Sequence, residues 1–183
     1  MVGCKRYVLG CFIGFLPVCL WAQVHVCATC KYKDLALAVE QSAAYDTLWI
    51  HEGRYEVANL RITKPLLIKG KGKAVLDGGG KHEILFVQGQ DIHIEGLYFQ
   101  GVGQSALKEL AAIHVYQAQG ISLINNTIQS HAFGILMEKT KNSRISYNAI
   151  KGYAEDEFNA GNGIHLWYCD DIDITFNLSL IHI

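Results

Sequence analysis

Proline is nearly absent from this chain, with two in 183 residues. Charge is scarce as well: Asp, Glu, Lys and Arg make up 18% of the residues and balance to −1. A chain so poor in both, and 50% hydrophobic, has the composition of one packed domain and not of a disordered segment. It has no basic patch, so nucleic acid is not an expected partner. GKGK, Gly70 to Lys73, lacks the GxxxxGK[ST] frame and reads as a turn rather than a phosphate loop. No set of carboxylates, lysine and arginine outlines the groove of a polysaccharide lyase. Asp170 and Asp171 are adjacent, so strand alternation sends them to opposite faces, and Asp156 and Glu157 fall in a polar loop.

What is present begins with an export signature. Lys5 and Arg6 precede an apolar run from Tyr7 to Trp21, too short for a comfortable membrane span, and Ala22 offers a small residue for cleavage. Residues 1–22 therefore read as a signal peptide. Pro17 and Val18 make Cys19 a poor lipoprotein site. Cleavage after Ala22 leaves 161 residues with net charge −3 and three cysteines, Cys27, Cys30 and Cys169, in a compartment that permits disulfides. The last six residues, LSLIHI (178–183), match a translated sequencing-library transposon end and are expected to be non-native.

The middle of the chain repeats. DIHIEGLYF (Asp91 to Phe99), GISLINNTI (Gly120 to Ile128), NSRISYNAI (Asn142 to Ile150) and DDIDITFN (Asp170 to Asn177) share one pattern. Phe99, Ile128 and Ile150 align, as do Ile94, Leu123, Ile145 and Ile174; Asn126, Asn148 and Asn177 form a third column. A second family of segments lies between them and aligns Ile113, Ile135 and Ile164 at spacings of 22 and 29 residues. The longer coils carry extra polar residues, around 103–109 and 154–160, that read as projecting loops. Strands recurring every 22 residues or so leave no room for the helices of a doubly wound sheet. They fit an all-β, right-handed parallel β-helix over residues 46–177, with inward Ile, Leu and Val stacked in ladders. The asparagine column marks a tight turn, where Asn tolerates left-handed geometry and can bond its neighbours in the stack. Residues 23–45 hold a CxxC and a helix, Asp34 to Ala44, capped by Asp34 and expected to cover the open core.

Candidate metal ligands are Cys27, Cys30, His114 and His165. Cys27 and Cys30 are two ligands, too few for a structural zinc; they can close a disulfide, bind copper(I) or exchange redox equivalents. With Ile113, Ile135 and Ile164 inward, His114, Leu136 and His165 point outward. The two histidines then lie two rungs apart, about 9.6 Å. They are either surface residues of a sheet or part of a contact or shared metal site. Cys169 reads as a structural thiol.

CATCKYKDLALAV, DTLWIHEGRYEV, AVLDGGGK, AAIHVYQAQGISLINNTI, FGILMEKTKNSRISYNAI and EFNAGNGIHLWYCDDIDIT together resemble the N-terminal part of the NosD family. The resemblance reaches Asn177 and leaves out LSLIHI. It implies a periplasmic β-helix protein, not itself an enzyme. Such a protein works with an ABC transporter (ATPase and permease) and a copper chaperone to supply copper or sulfur to the copper–sulfide centre of nitrous oxide reductase. The alternative is a β-helix lyase, hydrolase or epimerase acting on a polysaccharide.

Overall fold

The computed structural model describes residues 22–105, 107–153 and 161–180. The expected signal peptide (but for Ala22), the loop holding Asp156 and Glu157, and the last three tail residues lie outside the described residues.

In chain order the elements are β1 (Gln23–Val26), α1 (Leu35–Gln41), β2 (Thr47–Glu56), β3 (Leu60–Ile62), β4 (Leu67–His82), β5 (Leu85–Val87), β6 (His93–Glu95), β7 (Tyr98–Val102) and β8 (Ala111–Tyr116). They continue with β9 (Ser122–Ile124), β10 (Thr127–Ser130), β11 (Phe133–Glu138), β12 (Lys141–Ser146), β13 (Ala149–Gly152), β14 (Ile164–Trp167), β15 (Asp170–Thr175) and β16 (Leu178–Leu180).

Every strand pairing is parallel and joins one coil to the next. One face stacks β6, β9, β12 and β15, a second β7, β10, β13 and β16, and a third β3, β5, β8, β11 and β14. The long strand β4 bends across two faces, its first part pairing with β6 and its second with β7. The result is a three-sided parallel β-helix. Its register is the one the repeats dictate: Phe99, Ile128 and Ile150 are partners, as are Ile94, Leu123, Ile145 and Ile174, and Ile113, Ile135 and Ile164.

The inward positions form one apolar core. Ile68, Ile94, Leu123 and Ile145 supply it from the first face, Leu76, Phe99, Ile128 and Ile150 from the second, and Leu85, Ile113 and Ile135 from the third, all buried. Each such side chain contributes about 1.5–3 kcal/mol of burial. α1 lays Leu35, Ala38 and Val39 against this core beside Val26, Leu48 and Ile50. The Asp34 carboxylate caps it by accepting the Leu37 N–H at 2.9 Å. The helix is shorter than its apolar spacing predicts, because Ser42 turns extended and its hydroxyl donates back to the Ala38 carbonyl at 2.7 Å.

Left-handed residues mark two of the corners of a coil, one at the step from the first face to the second and up to two at the step from the third face back to the first. The columns are Gly96, Asn125, Tyr147 and Phe176; Gln117, Lys139 and Tyr168; and Asp91, Gly120, Asn142 and Asp171, with φ between 48° and 70°. The ladder asparagines are therefore not the left-handed residues. Each stands one position later and points inward, where it bonds rather than bends the chain. GKGK is a turn only in its second half: Gly70 and Lys71 belong to the β2–β4 ladder, and Gly72, with φ 74°, stands at the break in its register. Gly70 is required in that ladder, because a Cβ would lie 2.1 Å from the Gly96 carbonyl oxygen.

The tail continues the stack in one respect. β16 pairs with β13, setting Ser179 opposite inward Ile150 while Leu178 and Leu180 are exposed. Its alternation is out of phase with the ladder it joins.

Candidate functional site

The outward side of the third face carries most of the chemistry. Period-two alternation stacks Arg61, Phe86, His114, Leu136 and His165 in one column. Tyr116, Glu138 and Trp167 form the column beside it. The rings touch: Phe86 meets His114 edge-on with centroids 5.0 Å apart, and His165 packs on Phe133 at 5.4 Å and on Trp167 at 6.2 Å. The Arg61 guanidinium lies 4.4 Å over Phe86 and the Lys139 ammonium 5.4 Å over Tyr116, close enough for cation–π attraction.

His114 sits in a shallow depression lined by Asn59, Glu83, Phe86, Lys108, Leu110 and Glu138. Its Nδ1 is 3.1 Å from a Glu83 carboxylate oxygen and its Nε2 3.0 Å from one of Glu138. An acceptor at each nitrogen requires a proton on each, which is the imidazolium. Burial alone pushes its pKa down. Hydrogen bonding and the charge of Glu83, then of Glu138, outweigh that and hold it above the ordinary value. With both nitrogens donating, His114 has no lone pair for a metal. The cluster instead presents two carboxylates bridged by one cation, with Lys108 on the rim of the same depression and aromatic rings around it.

The other predicted residues are placed apart. His165 is two rungs from His114, with Leu136 between them fully buried rather than facing solvent. Its Nδ1 contacts the Asn162 amide nitrogen at 2.9 Å, and its buried Nε2 has no hydrogen-bond partner among the described residues. Cys27 and Cys30 are joined as a disulfide, so neither offers a thiolate in this state. Cys169 is a free thiol whose Sγ lies 3.3 Å from the Met137 carbonyl oxygen. Among the described residues no three His, Cys, Asp or Glu side chains converge as metal ligands would. Cys27, Cys30, His114 and His165 thus form no common site.

Asn126, Asn148 and Asn177 do come together, as an amide ladder in which Asn126 and Asn148 are buried and Asn177 is half-buried. The Asn148 Oδ1 accepts from the Asn126 backbone N–H at 2.9 Å, and the Asn177 Oδ1 accepts from the Asn148 N–H at 2.9 Å. Each side-chain amide also donates to a carbonyl of an earlier coil: Asn126 to Ile94, Asn148 to Leu123, Asn177 to Ile145.

Glu83 and Glu138 were not singled out from sequence. Glu138 was findable, since it lies two residues past Leu136 on the same outward side. Glu83 precedes β5, where coil length changes and register cannot be counted.

No family model matches the chain. Two curated proteins do, each called "Probable ABC transporter binding protein NosD". That of Pseudomonas aeruginosa is 32% identical over 124 residues, 65% of this chain. That of Stutzerimonas stutzeri is 27% identical over 118 residues, 63% of this chain. The chain is similar to these NosD proteins over that stretch. It spans little over a quarter of their length, 28% and 27% respectively. Among solved structures, a rhamnogalacturonan lyase superposes with TM-score 0.61 over 86% of this chain and 57% of its own, at 11% identity. That likeness establishes the shared β-helix and nothing about activity.

Proposed function

We propose that this chain belongs to an exported, periplasmic accessory protein that acts with an ABC transporter in maturing nitrous oxide reductase. It assists delivery of copper or sulfur to the reductase's copper–sulfide centre and catalyses no reaction itself. The observation that supports this is the similarity to the NosD proteins, whose names tie them to an ABC transporter. Copper is cargo in this scheme. Because His114 is engaged at both nitrogens and Cys27–Cys30 is closed, the share of the work assigned to this segment is contact. Its third face, aromatic and of mixed charge, would meet the permease, the reductase or a copper chaperone.

The test is deletion of the whole gene in its host. Reductase purified from the deletion strain should lack its copper–sulfide absorption while its polypeptide is still exported. Reductase with full copper content would overturn the proposal.

A second reading takes the same face as a polysaccharide-binding surface of a lyase, hydrolase or epimerase, with Phe86, Tyr116 and Trp167 as sugar platforms beside Glu83 and Glu138. New reducing or unsaturated ends after incubation with pectic polysaccharides would favour it over the maturation role.

A further inference from the structure

Histidines on this chain mostly find oxygen or amide partners. His93 bonds Glu95 at 2.9 Å, His114 bonds two carboxylates, His131 bonds the Tyr153 carbonyl and His165 meets Asn162. His25 and His51 are different: Nδ1 of one lies 2.8 Å from Nε2 of the other, nitrogen facing nitrogen. Their ring centroids are 5.1 Å apart. One nitrogen donates across the contact and the other accepts through its lone pair, the lone pair that a metal ion would use.

The backbone beneath them is fixed in several ways. β1 pairs with β2 so that His25 partners Trp49 and Val26 partners Ile50, with His51 the next residue along. The β2–β4 register breaks between His51 and Gly53, a bulge that re-aims the side chain before it. The Tyr55 hydroxyl lies within hydrogen-bond reach of both the Val26 carbonyl, at 3.1 Å, and the His51 carbonyl, at 3.0 Å, tying the two strands together directly behind the rings. The Cys27–Cys30 bridge closes the chain immediately after β1.

We infer that His25 and His51 form a two-imidazole site for a divalent transition-metal ion of the copper(II) or nickel(II) class. With metal–nitrogen bonds of about 2.0 Å, two ligands in cis positions of a square-planar ion lie about 2.8 Å apart. The observed separation already matches, so loading replaces the proton between them by the ion after a rotation of the rings. Water completes the coordination on the solvent side. Lys71, opposite His51 on β4, is exposed and free to turn its ammonium away. Copper(II) should bind more tightly than nickel(II), and nickel(II) more tightly than cobalt(II). The site stands independently of the maturation role: failure of either leaves the other intact.

The experiment is titration of the disulfide-intact protein with copper(II) alone and nickel(II) alone. Copper(II) electron paramagnetic resonance reads the number of coordinated nitrogens. The wild type should show two imidazole nitrogens. His51→Ala and His25→Ala should each weaken binding by more than about tenfold and leave one imidazole. His93→Ala should change nothing. His51→Gln keeps a neutral polar side chain at the bulge and guards against a folding defect. If folded His51→Gln, judged by wild-type circular dichroism, binds copper(II) as tightly as wild type with the same spectrum, the site is refuted.

Discussion

Removing the amide of Asn148 should unlock one side of the β-helix. The side chain is 1% exposed and accepts two hydrogen bonds, from the backbone and side-chain nitrogens of Asn126. It donates to the carbonyls of Leu123 and Ser146 and to the Asn177 amide oxygen. Asn148→Ala leaves the buried Asn126 backbone N–H without its acceptor, worth about 1–3 kcal/mol, and forfeits further bonds at about 1 kcal/mol each. The Asn126 amide keeps the Ile94 carbonyl as a partner, so not every lost bond counts in full. The expected cost is about 3–4 kcal/mol. Asn125→Ala is the control, since Asn125 is exposed and spends its residue on the left-handed corner; it should cost less than about 1 kcal/mol. Guanidinium denaturation measures both, and amide hydrogen exchange at Asn126 localises the effect to the coil, because a stacked fold opens coil by coil. Asn148→Ala within about 1 kcal/mol of wild type would refute the ladder as a stabilising device.

Other outcomes follow from the same contacts. Gln117 is exposed with φ 48°, so Gln117→Gly should raise stability by about 0.5–1 kcal/mol in the same denaturation assay. The His114 pKa is raised in the folded state, so its contribution is fully present below the unfolded value and is lost as pH rises through the folded one. The stability gap between wild type and His114→Gln should therefore be full below the ordinary histidine value of 6.5 and narrow as pH rises through the raised folded value. Reducing Cys27–Cys30, a bridge spanning three residues, should cost about 2 kcal/mol on loop-closure entropy. If the reduced pair is a copper(I) site, a chelator-sensitive copper(I) titration of reduced protein will separate wild type from Cys27→Ala/Cys30→Ala; equal binding removes that role.

Sequence carried the fold further than the site, for a physical reason. Inward positions must be apolar in every coil, so Ile94, Leu123, Ile145 and Ile174 announce a register without reference to anything distant. Outward positions obey no such constraint. His114 could be assigned a direction from Ile113, yet its partners Glu83 and Glu138 come from the coils on either side. Finding them needs the lateral neighbour, which depends on loop lengths as well as alternation. Leu136 shows the limit of alternation itself, being outward and yet fully buried. The His25–His51 pair was hidden because β1 reads as a tail of the CxxC segment, and its pairing with β2 is not repeated elsewhere. The ladder asparagines were legible as a column but not as to conformation: the left-handed residue is the one before, and its identity varies from Gly96 to Phe176.

Strand spacing decides which histidine pairs can share an ion. His114 and His165 are separated by β11, two rungs, or about 9.6 Å between their strands. Two imidazoles on one ion hold their nitrogens no more than about 4 Å apart, so nothing short of unstacking a coil brings these two together, and Leu136 fills the gap. His25 and His51 lie on adjacent strands, as diagonal neighbours whose side chains can meet, and their nitrogens do so at 2.8 Å. The same geometry assigns the third face a different kind of ligand. Its rings and carboxylates are spread along columns that span several coils, so whatever binds there must be extended, a partner's surface or a polymer, and not a single ion. One chain thus offers a point-like site where two strands touch and an extended one where several coils line up. A titration with metal alone addresses the first without disturbing the second.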